Sequence, residues 1–348
     1  MLETTITRAN PLVDPTLHVW SWEIPVYLFA GGVVAGMMVL GGIAMLRVAR
    51  GEDPRTFFSL HTPLLAFVLI NLGMGALFLD LAHKLYVWRV YLTLQPTSPM
   101  SWGSWVLIVV YGVLLASALI RLPEAWPWLG RRIPALQRMS AALLDSPLAV
   151  RALGWANVVL GVALGIYTGI LLDTMVARPL WNTAILGPLF LVSGLSAGAA
   201  AMHVASVFLP RRPAPAGPIG GAISALVQPL GPEPPARRTV DALIRADIAF
   251  LAIELVLLGL LVVNLETSSA SHAAAVALIV SGPYAWAFWA LVIALGILAP
   301  MAMQGAELSH AIPHTVVPAL LVLVGGLALR WVIVSAGQAS HVVHAAGL

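Results

Sequence analysis

The chain has 348 residues, of which 60% are hydrophobic and only 9% are charged, whereas about 25% of the residues of a soluble domain carry a charge. This composition leaves too few polar side chains to cover the surface of a soluble enzyme. The chain has no cysteine, which excludes disulfides, thiolate-held iron–sulfur clusters, cysteine-bound zinc and a cysteine nucleophile. The net charge of +3 gives no indication of nucleic-acid binding.

Eight apolar segments are long enough to cross the hydrocarbon core of a bilayer, which takes about 20 helical residues. We therefore predict an all-α, polytopic membrane protein in which eight transmembrane helices form one bundle. The predicted spans are residues 22–48, 57–79, 103–120, 152–175, 181–209, 242–265, 284–303 and 315–337. No cleavable signal is expected before the first span, because residues 1–17 lack a basic stretch followed by an apolar core.

The longest stretch between spans, residues 210–241, holds eight of the 25 prolines and is predicted to be a stiff linker rather than a domain. In or beside the loops after the first, third and fifth spans lie 13 of the 18 basic residues. The positive-inside rule then puts these loops and the linker in the cytoplasm. Both termini, and residues 80–102 and 173–182, are expected on the periplasmic side of the bacterial inner membrane.

Glycines recur at four-residue spacing within three spans, which predicts close helix crossings because small residues let helix backbones approach in lipid. The glycines concerned are Gly32 and Gly36, then Gly161, Gly165 and Gly169, and finally Gly194 and Gly198.

Ionisable side chains inside a span cost about 2.5–3.5 kcal/mol each on insertion scales, so each is expected to have a partner or a function. They are Glu23, Asp80, Asp247, Glu254 and Arg330. Asp247 and Glu254 lie seven residues apart, or about two turns, and so share one face of the sixth span. This face suits a proton inlet from the cytoplasm. The alternative is that Asp247 pairs with an interfacial basic residue and Glu254 bonds a neighbouring helix.

Two histidines, His61 and His203, lie at matching depth toward the predicted cytoplasmic ends of different spans. Such a pair is able to hold a b-type haem, but the second pair of a two-haem quinone cytochrome is missing. A histidine in a helix bundle is more often a structural or relay residue. We therefore place both on the predicted proton path with Asp247 and Glu254, and expect neither haem nor metal on this chain.

Three segments on the predicted periplasmic side, residues 20–23, 96–105 and 178–182, are rich in aromatic, proline and small polar residues. Interfacial aromatic belts explain part of this pattern. They do not explain why charged groups and a tyrosine gather there too, at Glu23, Asp80, Tyr167, Asp173 and Arg178. A quinone headgroup needs apolar walls, hydrogen-bond donors and proton carriers, and these side chains supply them.

Three stretches carry a resemblance to a known family: Trp22 with the segment YLFAGGVVAG at 27–36, PTSPMSWGSW at 96–105, and YTG at 167–169 leading to RPLWN at 178–182. With these stretches the sequence resembles, over essentially its whole length, the NrfD-like membrane subunits of the polysulfide-reductase membrane-anchor type. Each motif is weak alone, but together they are specific. The eight spans and the outward termini are similar to those of the shorter members of the family.

The resemblance implies a haem-free subunit that exchanges electrons between bound ubiquinone or menaquinone and a periplasmic, four-cluster ferredoxin-like iron–sulfur subunit. That subunit in turn serves a catalytic subunit, most commonly of the molybdopterin type, so no complete site for the terminal substrate is expected on this chain. Proton translocation is a further hypothesis.

The resemblance also assigns roles to residues near the periplasmic side. It implies that Tyr167 touches the quinone, that Glu23 and Tyr27 occupy the polar position of the first helix beside Trp22, and that Asp80 accepts a proton. Docking of the partner is expected at the turn residues Ser98, Arg178 and Asn182, with fixing of the turn after the fourth helix as the other role of Arg178 and Asn182.

Two functions of other classes remain open on the sequence alone. A secondary transporter would use the buried acids to bind a coupling ion and substrate, and it predicts inverted repeats with broken helices at mid-membrane. A cytochrome subunit would hold haem b between His61 and His203.

Overall fold

The computed structural model describes residues 20–52, 57–208 and 237–342. Over these ranges the chain is helical and contains no strand, and eight helices are long and apolar enough to cross a membrane. The prediction of an all-α polytopic protein with eight spans is therefore confirmed, while the side on which the termini lie stays a prediction. The eight helices are α1 (Glu23–Val48), α2 (Thr62–Asp80), α3 (Pro99–Ala125), α4 (Pro147–Asp173), α5 (Leu186–Phe208), α6 (Arg237–Ser268), α7 (Ala287–Leu308) and α8 (Val317–Ala339).

Several helix ends differ from the predicted spans for reasons that the structure shows. The fifth span begins at Leu186 rather than at residue 181, because the residues before it form a turn whose Trp181 indole donates to the carbonyl of Ile333. The predicted linker lies outside the described residues up to position 236, and its last five residues belong to α6, which begins at Arg237.

The bundle has two halves that meet along α1. Helix α1 contacts α2 and α4 of its own half and α5 and α8 of the other half, and α5 contacts α4, α6 and α8. In its most apolar stretch α1 is 78% buried inside the protein, whereas the corresponding stretch of α6 is only 28% buried. Helix α1 is therefore the central element, and α6 presents most of its surface to lipid.

Glycine permits the close crossing of α1 over α5 and α4. A Cβ atom added at Gly194 would lie 2.7 Å from the carbonyl oxygen of Gly32, and one added at Gly198 would lie 2.6 Å from the carbonyl carbon of Gly36. On α4, a Cβ at Gly161 would lie 2.8 Å from the oxygen of Ala35. The predicted glycine contacts are thus confirmed, and larger residues at these crossings would push the two halves apart.

The two ends of the bundle are named here by the ends of α1. At the Glu23 end, the backbone N–H of Trp20 donates to Oε1 of Gln338 at 2.9 Å, which joins the start of α1 to the end of α8. Two short helices, Lys84–Tyr86 and Trp88–Leu92, lie between α2 and α3 at this end. At the Val48 end, the short helices Pro127–Arg132 and Pro134–Leu144 connect α3 to α4.

Candidate functional site

A cluster of tyrosines lies at the Glu23 end, in the half formed by α1–α4. Tyr27 on α1 and Tyr167 on α4 are both buried, with 8% of each side chain exposed. Tyr27 interacts electrostatically with three further tyrosines, from α4, α3 and the short helix before α3. These are Tyr167, Tyr111 and Tyr91. Burial raises the pKa of Tyr91, which keeps its phenol a neutral donor.

Gly103 on α3 makes room for the phenol of Tyr167. A Cβ atom at position 103 would overlap Cε1, Cζ and the hydroxyl oxygen of Tyr167, and the phenol oxygen lies at the Gly103 backbone. A glycine is therefore required for the ring to lie against the helix, and the position of the hydroxyl is set by the backbone of α3.

Two carboxylates lie beside this cluster, at the first residue of α1 and the last residue of α2. Glu23 and Tyr27 are one turn apart on the same face of α1. Asp80 interacts electrostatically with Glu23 and with Lys84. Among the described residues no group hydrogen-bonds Oε2 of Glu23, although that atom is buried. A buried carboxylate oxygen without a partner is costly, so this atom is available to a hydroxyl brought in by a ligand.

The segment 96–105 holds the short helix Trp88–Leu92 against the start of α3. Ser101 donates to the carbonyl of Thr93 at 3.2 Å, Ser104 donates to that of Val90 at 3.2 Å, and the Trp102 indole donates to that of Pro96 at 2.6 Å. These bonds explain the small polar residues of the motif: they anchor the polypeptide that carries Tyr91 over the tyrosine cluster.

The segment 178–182 is bound to the end of α8. Arg178 is 5% exposed, and its guanidinium donates to the carbonyls of Gln338 at 3.2 Å and Ser340 at 2.7 Å. Asn182 donates to the carbonyl of Asp173 at 3.3 Å. Both side chains thus fix the turn between α4 and α5, and Arg178 satisfies carbonyls that the end of α8 leaves without helical partners.

Of the three residues predicted to dock a partner, two therefore have internal contacts, and Ser98 is half-buried at the start of α3. Trp22, which was predicted to line the quinone site, is 55% exposed. A docking role for these residues stays a prediction, and residues 85–102 hold many of the large apolar side chains that are exposed at this end. They include Leu85, Tyr86, Trp88, Leu92, Leu94, Met100 and Trp102.

A second polar group runs through the half formed by α5–α8. Asp247 is 3% exposed and accepts hydrogen bonds from Oγ of Ser196 and Nε2 of Gln304, each at 2.6 Å. Glu254 is 4% exposed and is hydrogen-bonded to Ser193 on α5. The predicted common face of Asp247 and Glu254 is therefore the face of α6 that meets α5 and α7.

Arg330 on α8 compensates the charge of this group near its middle. It is 1% exposed, donates to Oγ of Ser193 and to the carbonyl of Phe190, and interacts electrostatically with Glu254. Removing either charge would leave the other buried without compensation, which is costly. The guanidinium also lies against Gly32 of α1, where an added Cβ would be 3.0 Å from Nη2.

The two predicted histidines lie in different surroundings. His203 on α5 lines a small cavity of about 10 Å³ together with Asp247 and Gln304, and it interacts electrostatically with Glu307 and His314. His61 is 2% exposed and lies at the start of α2, in the other half of the bundle. The structure thus brings His203, Asp247 and Glu254 into one group and places His61 in the other half of the bundle.

Several members of both groups were missed from the sequence. Gln304 and Glu307 fell beyond the seventh predicted span, which ended at 303, whereas α7 continues to Leu308. Their spacing of three residues on an extended helix was the signal that could have found them. Tyr91 and Tyr111 carried no motif. In the described part of the chain, no three His, Asp or Glu side chains are grouped so as to hold a metal ion.

These features define a class of protein: a multi-pass helical membrane protein with a tyrosine and carboxylate site at one end and buried charges between four of its helices. The family model described as "Polysulphide reductase, NrfD" matches residues 10–342. The chain belongs to the NrfD family, as the sequence motifs predicted, and is a membrane subunit of the NrfD and polysulfide reductase type.

Curated relatives match along nearly the whole chain. The C subunit of polysulfide reductase from Wolinella succinogenes is 29% identical over 329 residues, which cover 92% of this chain and 94% of that protein. Protein NrfD of Escherichia coli is also 29% identical over 329 residues, covering 92% and 95%. The NrfD homolog of Haemophilus influenzae is 25% identical over 340 residues, covering 96% and 98%. These names fit a membrane anchor of a respiratory oxidoreductase, which assembles with other subunits.

Proposed function

We propose that this chain is the quinone-reactive subunit of a respiratory oxidoreductase in the bacterial inner membrane. It exchanges electrons between ubiquinone or menaquinone and a periplasmic iron–sulfur subunit. The observation that carries the proposal is the arrangement at the Glu23 end: a buried carboxylate oxygen of Glu23 has no partner among the described residues and lies one turn from Tyr27, which interacts electrostatically with Tyr167.

This arrangement fits the chemistry of a quinone as substrate. A quinol hydroxyl would donate to the unpaired oxygen of Glu23, and the neutral phenols of Tyr167 and Tyr27 would donate to a quinone carbonyl. Asp80 interacts with Glu23 and with Lys84, so it is placed to pass the released proton toward the surface. Gly103 fixes Tyr167 against α3 and so sets the position of the donor.

The partners follow from what the chain lacks. Because it has no cysteine, it cannot ligate an iron–sulfur cluster through thiolates, and electrons must pass between the substrate and a metal centre on another subunit. We expect this subunit to be of the four-cluster ferredoxin type, to lie over the Glu23 end, and to serve a molybdopterin-type catalytic subunit. The relative from Wolinella succinogenes is named as one lettered subunit of polysulfide reductase, which supports a complex of several polypeptides.

Proton transfer through the half formed by α5–α8 accompanies the electron exchange in this proposal. His203, Asp247 and Glu254 follow one another from the Val48 end to the middle of the bundle, with serine and glutamine hydrogen bonds between helices. Such intramembrane acids are functional candidates by default. Their path ends at Arg330, which contacts α1 near the tyrosine cluster.

Binding of a quinone-site probe tests the first part without any partner subunit. The purified chain in nanodiscs is titrated with 2-heptyl-4-hydroxyquinoline N-oxide, whose fluorescence is quenched on binding. Tyr167→Phe and Glu23→Gln should each weaken binding about 3- to 30-fold. The first removes a hydrogen bond to a buried ligand and the second replaces a charged acceptor by a neutral amide, each worth roughly 0.5–2 kcal/mol.

Tyr284→Phe is the matched control. Tyr284 also lies at the Glu23 end, but in the other half of the bundle, where its hydroxyl contacts the carbonyl of Ser335 at 3.4 Å. Its removal should leave probe binding unchanged. Equal affinity in Tyr167→Phe and the unmodified chain would remove Tyr167 from the site, and absence of any saturable binding by the unmodified chain would overturn the proposed function.

A further inference from the structure

At the Val48 end of the α5–α8 half, a histidine lies between two carboxylates. His314, in the short loop between α7 and α8, places Nε2 3.5 Å from Oδ1 of Asp241 and Nδ1 3.5 Å from Oε2 of Glu307. The His314 side chain is 27% exposed and that of Asp241 23%, whereas Glu307 is fully buried. The imidazole therefore connects the surface to a carboxylate that water does not reach directly.

The atoms that face each other in this contact are not engaged by other groups of the described chain. Among the described residues, both ring nitrogens of His314, Oδ1 of Asp241 and Oε2 of Glu307 are buried without a hydrogen bond of normal geometry. The other oxygen of Glu307 is held by the backbone N–H of Thr315 at 2.9 Å and its hydroxyl at 3.1 Å. Glu307 is thus fixed by one oxygen and directs the other at the histidine.

The next groups inward are His203 and Asp247, which line the cavity of about 10 Å³. This is roughly the volume that one water molecule requires. Oε1 of Gln304 is buried and has no partner among the described residues, and Gln304 also lines the cavity. A water there would donate to this oxygen and connect the His203 imidazole to the Asp247 carboxylate, with the two to four polar partners that buried waters have.

We propose that His314 is the site at which protons pass from the surface into the buried carboxylates, through Glu307, His203 and one water to Asp247. In each transfer the partly exposed carboxyl group of Asp241 takes a proton from solvent and passes it to Nε2 of His314, while Nδ1 releases its own proton to Oε2 of Glu307. The imidazole is left as its other neutral tautomer, and rotation of the ring restores the starting state for the next proton. The charged and titratable groups that face this histidine come from α5, α6 and α7. They are His203, Asp241 and Glu307.

This inference rests on the proposed function only for the use made of the protons, and its test involves no quinone. The full chain is adsorbed on an infrared cell, the buffer is changed from H2O to D2O, and the carboxyl band of Asp247 is followed, identified by its loss in Asp247→Asn. His314→Ala should slow exchange of this band about a hundredfold, the order of effect of removing a positioned proton carrier. Imidazole added to the buffer should restore the rate.

Control variants separate this role from a general effect. His272→Ala alters a histidine in the short helix Ala270–Val280, which follows α6; Nδ1 of His272 is hydrogen-bonded to Oγ of Ser269 at 2.7 Å. This change should leave exchange unchanged. Glu307→Gln should slow exchange without rescue by imidazole. This variant provides the test if His314→Ala does not fold. Tyr167→Phe should have no effect, which distinguishes this test from that of the quinone site.

Three results would overturn the inference: unchanged exchange in a folded His314→Ala variant, equal slowing in His272→Ala, or an Asp247 band in the unmodified chain that never exchanges. Slowing without rescue by imidazole in His314→Ala would also count against it, because a removed proton carrier should be replaceable from solution.

Discussion

Replacing Gly103 with alanine should displace Tyr167 while leaving its chemistry intact. The added Cβ would overlap three atoms of the phenol, including its oxygen, whereas carbon atoms in contact normally stay about 3.5–4.0 Å apart. The ring must therefore move by more than about 1 Å. Displacements of this size reduce rates by about a hundredfold when they affect a group that positions a substrate.

At a second glycine of α3, replacement by alanine should increase the stability of the protein, whereas Gly103→Ala should decrease it. Gly112 has no atom within 4 Å of an added Cβ, so Gly112→Ala should stabilise the protein by roughly 0.5–1 kcal/mol through helix propensity alone. Gly103→Ala gains the same propensity but meets a steric cost of about 1–3 kcal/mol. We expect it to be destabilising by about 1–2 kcal/mol.

Two assays compare Gly103→Ala with Gly112→Ala: thermal unfolding of the purified chain, and fluorescence titration with the quinone-site probe. Gly103→Ala should lower the unfolding temperature and weaken binding at least tenfold, while Gly112→Ala should bind normally. The double variant with Gly103→Ala and Tyr167→Phe should lose less binding free energy than the sum of the losses in the two single variants, because both changes act on one contact. Normal probe affinity in Gly103→Ala would refute the reasoning that Gly103 positions this phenol.

Three further changes test other parts of the structure. Gly36→Leu should prevent α1 from crossing α5 and abolish recovery of folded protein, whereas Gly75→Leu, where an added Cβ meets nothing within 4 Å, should be recovered normally by size-exclusion chromatography. Arg178→Met should lower the stability of the α4–α5 turn by roughly 1.5–3 kcal/mol, since it removes charged hydrogen bonds to α8, and limited proteolysis would detect the released end. Glu254→Gln should reduce proton uptake per electron in vesicles carrying the assembled complex; an unchanged ratio would exclude Glu254 from the proton path.

The spans were predictable because insertion into lipid selects for a property that each segment carries by itself. The number of apolar segments long enough to span a bilayer gave the number of helices. The four-residue spacing of Gly194 and Gly198 indicated the close crossing that the structure contains. The face shared by Glu23 and Tyr27 was equally local, since it follows from one turn of helix. These features need no knowledge of which helices are neighbours.

Contacts between distant segments were beyond the reach of such reasoning. Nothing near Gly103 in the sequence indicates that a phenol 64 positions later lies against it. Arg178 was predicted either to dock a partner or to fix the turn after the fourth helix, but the sequence could not identify its partners, which are carbonyls at the other end of the chain. Gln304 and Glu307 were assigned to a loop, because apolar length underestimates a helix whose last turns are polar and buried.

Arg330 is the point at which the two polar groups of the molecule approach each other. Its guanidinium interacts with Glu254 of one half and lies against Gly32 of the other, and Gly32 is five residues, or about 7.5 Å along the helix, from Tyr27. A change in the charge of Glu254 alters the electrostatic balance of Arg330, because a buried guanidinium depends on its counter-ion. Within the described residues, α1 is also the helix that contacts both halves most extensively. Coupling between electron exchange at the tyrosines and protonation of α6 would therefore act through the Tyr27–Gly32 segment of α1 rather than through a continuous chain of hydrogen bonds.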